Sequence, residues 1–262
     1  MKTIHLIGIG AGNPEHLTLE AVRVLNTVDV FFLLEKDGVG KDALLDVRRS
    51  ILEKHATAKP WRVVTSSTPA RDREAANYEA AVKDWRDKRS EGIHAMIANE
   101  MADGEIGAFL VWGDPNLYDG MIDSLLQIQA EDPNLGMDFT VIPGITCIQA
   151  LTAAHRIPLN RIGESITITT GRLLEDMDPA EVTNAVVMLD AKRTYRGFAE
   201  TGHTIYWGAY LGTSNQILAR GPVGDVSAQI DQALDNGRQR NGWIMDTYIL
   251  RSNAEPGDKK GH

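Results

Sequence analysis

Three short loops hold the residues whose types and spacing suit chemistry. The first is Gly8-Ile9-Gly10-Ala11-Gly12-Asn13-Pro14. The second is Gly113-Asp114-Pro115, followed by Leu117, Tyr118 and Asp119-Gly120. The third is Ile142-Pro143-Gly144-Ile145-Thr146-Cys147. Each ends an apolar run. Backbone amides at a helix start, together with the Thr146 hydroxyl, suit the carboxylate or ribose of a nucleoside cofactor. The first loop also imitates a dinucleotide-binding turn, but that fingerprint needs its third glycine where Asn13 stands. Glu35 could imitate the ribose-binding acid, so an NAD(P)-dependent oxidoreductase is carried as the alternative from another class. Taken singly, each loop is an ordinary turn, and for the first the tight strand-to-helix turn is the preferred local reading. Three in register along one α/β segment point to a ligand crevice beyond the carboxyl ends of parallel strands.

The elements that must position these loops follow from periodicity. Ile4–Ile9 is a nearly continuous apolar strand, of the kind buried on both faces. Asn13 is expected to cap the next helix, with Pro14 at its first position and Glu15 at its positive end. Leu17, Ala21, Leu25 and Val28 recur at helical spacing. Further strands are expected at Val30–Leu34, Arg62–Thr65, Ala108–Trp112 and Asp138–Ile142, with a helix over Leu44–Leu52 and a long polar one from about Asp72 to Met101. Strands followed by helices predict a mainly parallel, doubly wound sheet. The rhythm changes between Arg156 and Gly163. Strands at Ser165–Thr169, Val186–Leu189, Thr204–Tyr210 and Trp243–Leu250, with only short helical segments between them, predict a second α/β domain with a mixed, more antiparallel sheet. The expected division is residues 1–157, residues 158–252, and a polar tail, 253–262, that is expected to be disordered.

Composition narrows the function classes. The 262 residues carry a formal charge of −9, which argues against a nucleic-acid partner. Arg71, Arg73, Lys83, Arg86, Lys88 and Arg89 crowd one stretch, read mostly as a solvated helix face. No apolar run is long enough to span a bilayer. The chain enters a strand at Lys2-Thr3-Ile4 without the apolar region of a signal peptide, so a cytoplasmic location is the simplest expectation. Cys147 stands alone, which excludes an internal disulfide and a cysteine-rich metal site; no metal is expected. Without a paired histidine motif, Cys147 is read as a small lining residue that offers its backbone rather than a nucleophile.

The stretch at 8–18, Gly-Ile-Gly-Ala-Gly-Asn-Pro-Glu-His-Leu-Thr, resembles the opening of the tetrapyrrole methylases, GxGPGDPxxLT, with Ala11 in place of the proline and Asn13 in place of the aspartate. Residues 113–118 match that family's GDPxxY phrase, and Pro143-Gly144-Ile145-Thr146 matches its PG(I/V)(S/T) phrase. Thr169-Thr170-Gly171-Arg172 and Leu211-Gly212-Thr213-Ser214-Asn215-Gln216 resemble its later segments. The resemblance implies two α/β domains with the active site in the cleft between them, and S-adenosyl-L-methionine as methyl donor, leaving S-adenosyl-L-homocysteine. It implies cofactor contacts at Ala11, Gly113, Asp114, Leu117, Tyr118, Thr146 and Cys147, and in the second domain at Leu189, Tyr210, Leu211 and Gly212. For Leu189 a core leucine at a strand end reads nearly as well.

Within the family, Phe109–Pro115, Ile148–Leu151 through His155, Ile162–Arg172 and Pro69–Arg73 are similar to the branch that methylates C1 of precorrin-5 with release of acetate. Another precorrin C-methyltransferase is the alternative. Such a reaction needs a base for water and a donor for the acetyl carbonyl oxygen. Asp114 and Tyr118 are the candidates, then Asp119, with Glu35 and Asp72 behind them. Asp114 reads equally well as a turn residue bonding nearby amides, and His155 as a helix-end histidine. Arg71 and Arg73 are the candidates for clamping substrate carboxylates. A homodimer is the assembly the resemblance favours.

Overall fold

The computed structural model describes residues 1–36, 42–68, 78–242 and 244–253. Strands β1 (Lys2–Gly8), β2 (Val30–Lys36), β3 (Arg62–Thr68), β4 (Ile106–Val111) and β5 (Met137–Ile142) form one sheet in the order β3-β2-β4-β1-β5, every pair parallel. The apolar runs are continuous because both faces are covered. Ile4, Leu6, Phe32, Phe109 and Val111 pack on one face with Ile93 and Ile97 of α3 (Tyr78–Glu100) and with Met121 and Leu125 of α4 (Met121–Glu131). Ile7, Phe31, Ala108 and Leu110 pack on the other with Ala21 and Leu25 of α1 (Leu19–Leu25) and with Ile51 and Leu52 of α2 (Asp42–His55). Alternate residues of each strand serve opposite cores, as the pleat requires. The doubly wound sheet is as the sequence predicts.

The helix expected from Asn13 is divided. Asn13 does cap a turn, its Oδ1 accepting from Glu15 N at 2.9 Å, but that turn is a 3-10 element ending at His16. Leu17 and Thr18 return to extended backbone, and the Thr18 hydroxyl caps α1 afresh, accepting from Ala21 N at 3.0 Å. Two capping residues five positions apart each begin their own helix. The long polar helix starts no earlier than Tyr78 among the described residues; 69–77 lie outside them.

The second sheet holds β6 (Thr167–Thr170), β7 (Asn184–Met188), β8 (His203–Ala209), β9 (Ile217–Pro222) and β10 (Asp246–Ser252), in the order β6-β7-β10-β8-β9. Only β6 and β7 run parallel; the other pairs are antiparallel. Two expectations need correction. An edge strand, β9, was not foreseen, because Ala219-Arg220-Gly221-Pro222 has few strand-forming residues and ends in a proline tolerated only at an edge. The segments between strands are not all short: α7 (Val223–Asn241) runs for 19 residues. Its apolar stripe is thin, with Val223, Ile230 and Leu234 buried against Ile205, Trp207 and Tyr248 amid a polar majority.

By contacts the chain forms two compact units, Met1–Thr146 and Cys147–His262. The helix α5 (Cys147–His155) belongs to the second unit. Its buried His155 bonds the carbonyl of Trp207 on β8, Nε2 to O 3.0 Å. The expected division at 157 follows that helix, whereas contacts divide the chain ahead of it. No helix among the described residues is long and apolar enough to cross a membrane.

Candidate functional site

Sheet order decides what the three loops can do. Strand β1 lies between β4 and β5, so the loops leaving these three strands emerge side by side at one edge. They are tied together there. Gly10 and Gly113 exchange backbone hydrogen bonds in both directions, 2.9 and 3.2 Å. Gly144 N donates to Asp114 Oδ2 at 2.8 Å. The other carboxylate oxygen, Oδ1, accepts from both the backbone N and the side-chain amide of Asn116, at 2.7 Å each. Asp114 therefore spends both oxygens on loop geometry, which is the turn-residue role weighed for it.

Close approach explains two glycines. A Cβ on Gly8 would stand 2.6 Å from Gly144 N, and one on Gly144 would overlap Gly113 O. Backbone packs on backbone where the three loops meet, and only glycine permits it.

Tyr118 follows at φ 54°, in the left-handed region, with its side chain 48% exposed. Ala11 and Gly113 are buried; Leu117 and Thr146 are half-buried. Asp119 is held on its own helix, Oδ1 accepting from Met121 N at 3.0 Å, and Arg89 donates to its backbone carbonyl at 3.0 Å. The side chain of Glu35 and the residues Arg71, Asp72 and Arg73 lie outside the described set.

In the second unit, Cys147 opens α5. Burial pushes its thiol up to about 11, so it stays protonated at neutral pH. Leu189 follows β7 at φ 55° with 67% of its side chain exposed, unlike a core leucine. Tyr210 follows β8 at φ 51°, with its ring buried and its hydroxyl donating to the Gly237 carbonyl of α7 at 3.3 Å. Leu211 is buried beside it, and Gly212 N donates to Gln216 Oε1 at 3.0 Å. Five non-glycine residues among those described have positive φ, and three are Tyr118, Leu189 and Tyr210. Left-handed backbone costs about 1–3 kcal/mol at such residues and concentrates where a ligand is held. His155 is occupied structurally, and burial lowers its pKa.

One acidic residue the sequence reading passed over lies near two of these positions in the second sheet. Asp246 begins β10, pairs with Ala209 and precedes Thr247, which pairs with Met188. It therefore lies between the strand ends that lead into Leu189 and Tyr210. Its Oδ2 accepts from Trp207 Nε1 at 2.9 Å. An aspartate heading the run Thr247-Tyr248-Ile249-Leu250 was the available signal, hidden because strand polarity had not been assigned.

Within the first unit, the glycine-lined backbone and the Thr146 hydroxyl have the chemistry to suit the polar groups of a nucleoside thioether. The sheet order also departs from the 3-2-1-4-5-6 order of dinucleotide-binding folds, since β4 lies between β2 and β1. That removes the structural ground for the oxidoreductase alternative.

Fold and loops together define a two-unit α/β protein whose parallel sheet carries three glycine-containing loops side by side at one end. The chain belongs to the tetrapyrrole (corrin/porphyrin) methylases, whose family model matches residues 3–227, and it is therefore a methyltransferase of an S-adenosylmethionine-dependent family. It is 42% identical over 255 residues, 97% of each chain, to a Sinorhizobium protein named precorrin-6A synthase [deacetylating]. A crystal structure of a putative cobalamin-synthesis-related protein from Corynebacterium diphtheriae is 39% identical, with a TM-score of 0.81, covering 97% of this chain and 100% of that one. A uroporphyrin-III C-methyltransferase from Thermus thermophilus, complexed with S-adenosylhomocysteine, matches at a TM-score of 0.58 and 16% identity over 95% of this chain and 97% of that one, which establishes a shared fold.

Proposed function

We propose that this chain converts precorrin-5 and water to precorrin-6A and acetate, methylating C1 at the expense of S-adenosyl-L-methionine. The observation that carries this reading is the 42% identity over 97% of both chains to a relative named for that activity. The cofactor supplies an activated methyl group and leaves as S-adenosyl-L-homocysteine. The protein's share is placement, since in-line transfer from a sulfonium needs orientation more than side-chain chemistry.

In the first unit the proposed cofactor contacts are Ala11, Gly113, Asp114, Leu117, Tyr118 and Thr146. In the second they are Cys147, Leu189, Tyr210, Leu211 and Gly212. Asp114 acts by fixing the second and third loops to each other. Tyr118 is the proposed donor to the acetyl carbonyl oxygen, supported by its exposed ring and left-handed backbone. Water adds to the acetyl carbon, the bond from that carbon to C1 breaks, and its electrons remain at C1 for methylation. Arg71 and Arg73 are the proposed clamps for substrate carboxylates. The enzyme is proposed to be cytoplasmic and a homodimer.

The test is a product balance with precorrin-5 and methyl-labelled S-adenosylmethionine. One labelled methyl and one acetate per turnover are expected. Methyl incorporation without acetate would assign the chain to a different precorrin carbon.

A further inference from the structure

We propose that Arg89 is a substrate-binding residue, whose guanidinium takes a carboxylate of the tetrapyrrole beside Tyr118 at the carboxyl end of the parallel sheet. This rests on reading the chain as a methyltransferase that acts on a precorrin, and it names one group that would hold that substrate.

The direction of α3 puts Arg89 there. Glu100 ends the helix beside the start of β3, where its carbonyl accepts from Arg62, and the chain then turns into β4. The last turn of α3 therefore lies at the amino ends of the strands. Arg89 stands eleven residues earlier, about 16 Å back along the helix, at the end where the three loops emerge. It reaches the second of them: Nη1 donates to the Asp119 carbonyl at 3.0 Å. A Cβ on Gly120 would stand 3.5 Å from the same nitrogen. Asp119 directly follows the exposed Tyr118. Gly113 and Asp114, tied to the other two loops, lie on the incoming limb of this loop. Arg89 meets its outgoing limb, where the chain enters α4.

The side chain is not the solvated one that its crowded stretch suggests. It is only 11% exposed, and burial pushes its pKa down. The guanidinium stands over the Trp85 ring, 5.6 Å from its centroid, which helps to hold it in place. Its counter-charge is a loose one. Nη2 lies 3.8 Å from Asp119 Oδ1, an ion-pair separation too long for a hydrogen bond. That oxygen already accepts from Met121 N at 3.0 Å. The charge of Asp119 also reaches Arg48 of α2, whose Nε donates to the Leu110 carbonyl at 3.1 Å. Asp119 thus faces guanidinium groups from helices on both faces of the sheet. Exposed Arg86, one turn earlier on α3, adds further positive charge at Arg89. A guanidinium offers five N–H donors in a planar fork that matches a carboxylate. Among the described residues Arg89 makes one hydrogen bond with them, and a substrate carboxylate would take the rest of the fork.

The test compares wild type, Arg89→Gln and Arg89→Lys in initial-rate kinetics with precorrin-5, alongside calorimetry with S-adenosylhomocysteine and a thermal melt. Arg89→Gln keeps a donor for the Asp119 carbonyl but loses the charged fork. Its KM for precorrin-5 should rise about tenfold to a hundredfold. Its kcat should change much less, and S-adenosylhomocysteine affinity should stay at the wild-type value. Arg89→Lys keeps the charge without the planar fork, so its KM should fall between the other two. A mere brace for the loop would lower the melting temperature and leave the KM of the folded enzyme unchanged, and an unchanged KM overturns the proposal. So does a loss of S-adenosylhomocysteine affinity, which would assign the carboxylate to the amino-acid half of the cofactor. If wild type binds S-adenosylhomocysteine but does not turn over precorrin-5, the deacetylating reading falls. The same KM comparison, on the precorrin that it does methylate, then judges Arg89.

Discussion

Asp114 accepts a hydrogen bond from the backbone N–H of Gly144, thirty residues further along the chain, at 2.8 Å. The carboxylate after β4 thereby sets the position of the loop after β5. Its remaining oxygen is occupied by Asn116. Asp114→Ala should leave the Gly144 and Asn116 N–H groups short of a partner and cost about 1–3 kcal/mol of stability. S-Adenosylhomocysteine affinity should fall with it, because two loops lose their mutual register. Urea titration and calorimetry on the same preparation check both. Full stability with lost turnover alone would instead mark Asp114 as a chemical participant.

The contact between loops is tighter still at Gly144. A methyl group there overlaps Gly113 O and crowds the Gly8 backbone, and no flexible side chain is available to yield. Gly144→Ala is expected to destabilise the first unit by about 3 kcal/mol or more. It should also abolish cofactor binding in whatever fraction remains folded. A thermal melt and ligand titration decide it; a near-native melt would mean the loops separate easily.

Cys147 gives a pH prediction. With its thiol pushed up to about 11 by burial, about one part in a thousand is thiolate at pH 8. Iodoacetamide should label the folded protein slowly at pH 8 and accelerate above pH 10, while the urea-unfolded chain labels readily. Rapid labelling of the folded protein at pH 8 would show a reactive thiol.

Asp246 makes a stability prediction with a definite sign. Its carboxyl rises from the ordinary 3.8 to about 6 in the fold. The folded state therefore holds its proton more tightly, and stability present below pH 4 is lost as the pH rises through 6. Asparagine imitates the protonated acid. Ligand-free Asp246→Asn should be more stable than wild type at pH 8, by up to about 3 kcal/mol, and the difference should close as the pH falls to 4. A variant less stable than wild type at pH 8 would contradict this.

Local patterns made much of the fold legible. The apolar runs at Ile4–Ile9 and Ala108–Trp112 announce strands buried on both faces, and the three glycine loops follow them at once. Where signals were weak, elements were missed. The sparse apolar stripe of α7 and the Ala-Arg-Gly-Pro end of β9 carry little periodicity, and the second cap at Thr18 was overlooked behind Asn13. The candidate site was read as three separate turns made significant by their order and by a family likeness.

The sequence by itself determined which segments become strands, which turns need glycine, and which family's phrases the chain carries, because these depend on residues near one another. Tertiary structure alone decided that β1 lies between β4 and β5, and hence that the three loops touch. It also decided that β10 runs against β7 and β8, which brings Asp246 beside Trp207 and between Leu189 and Tyr210. Strand order and direction follow from which faces the helices must cover, a property of the whole packed sheet that no local window contains.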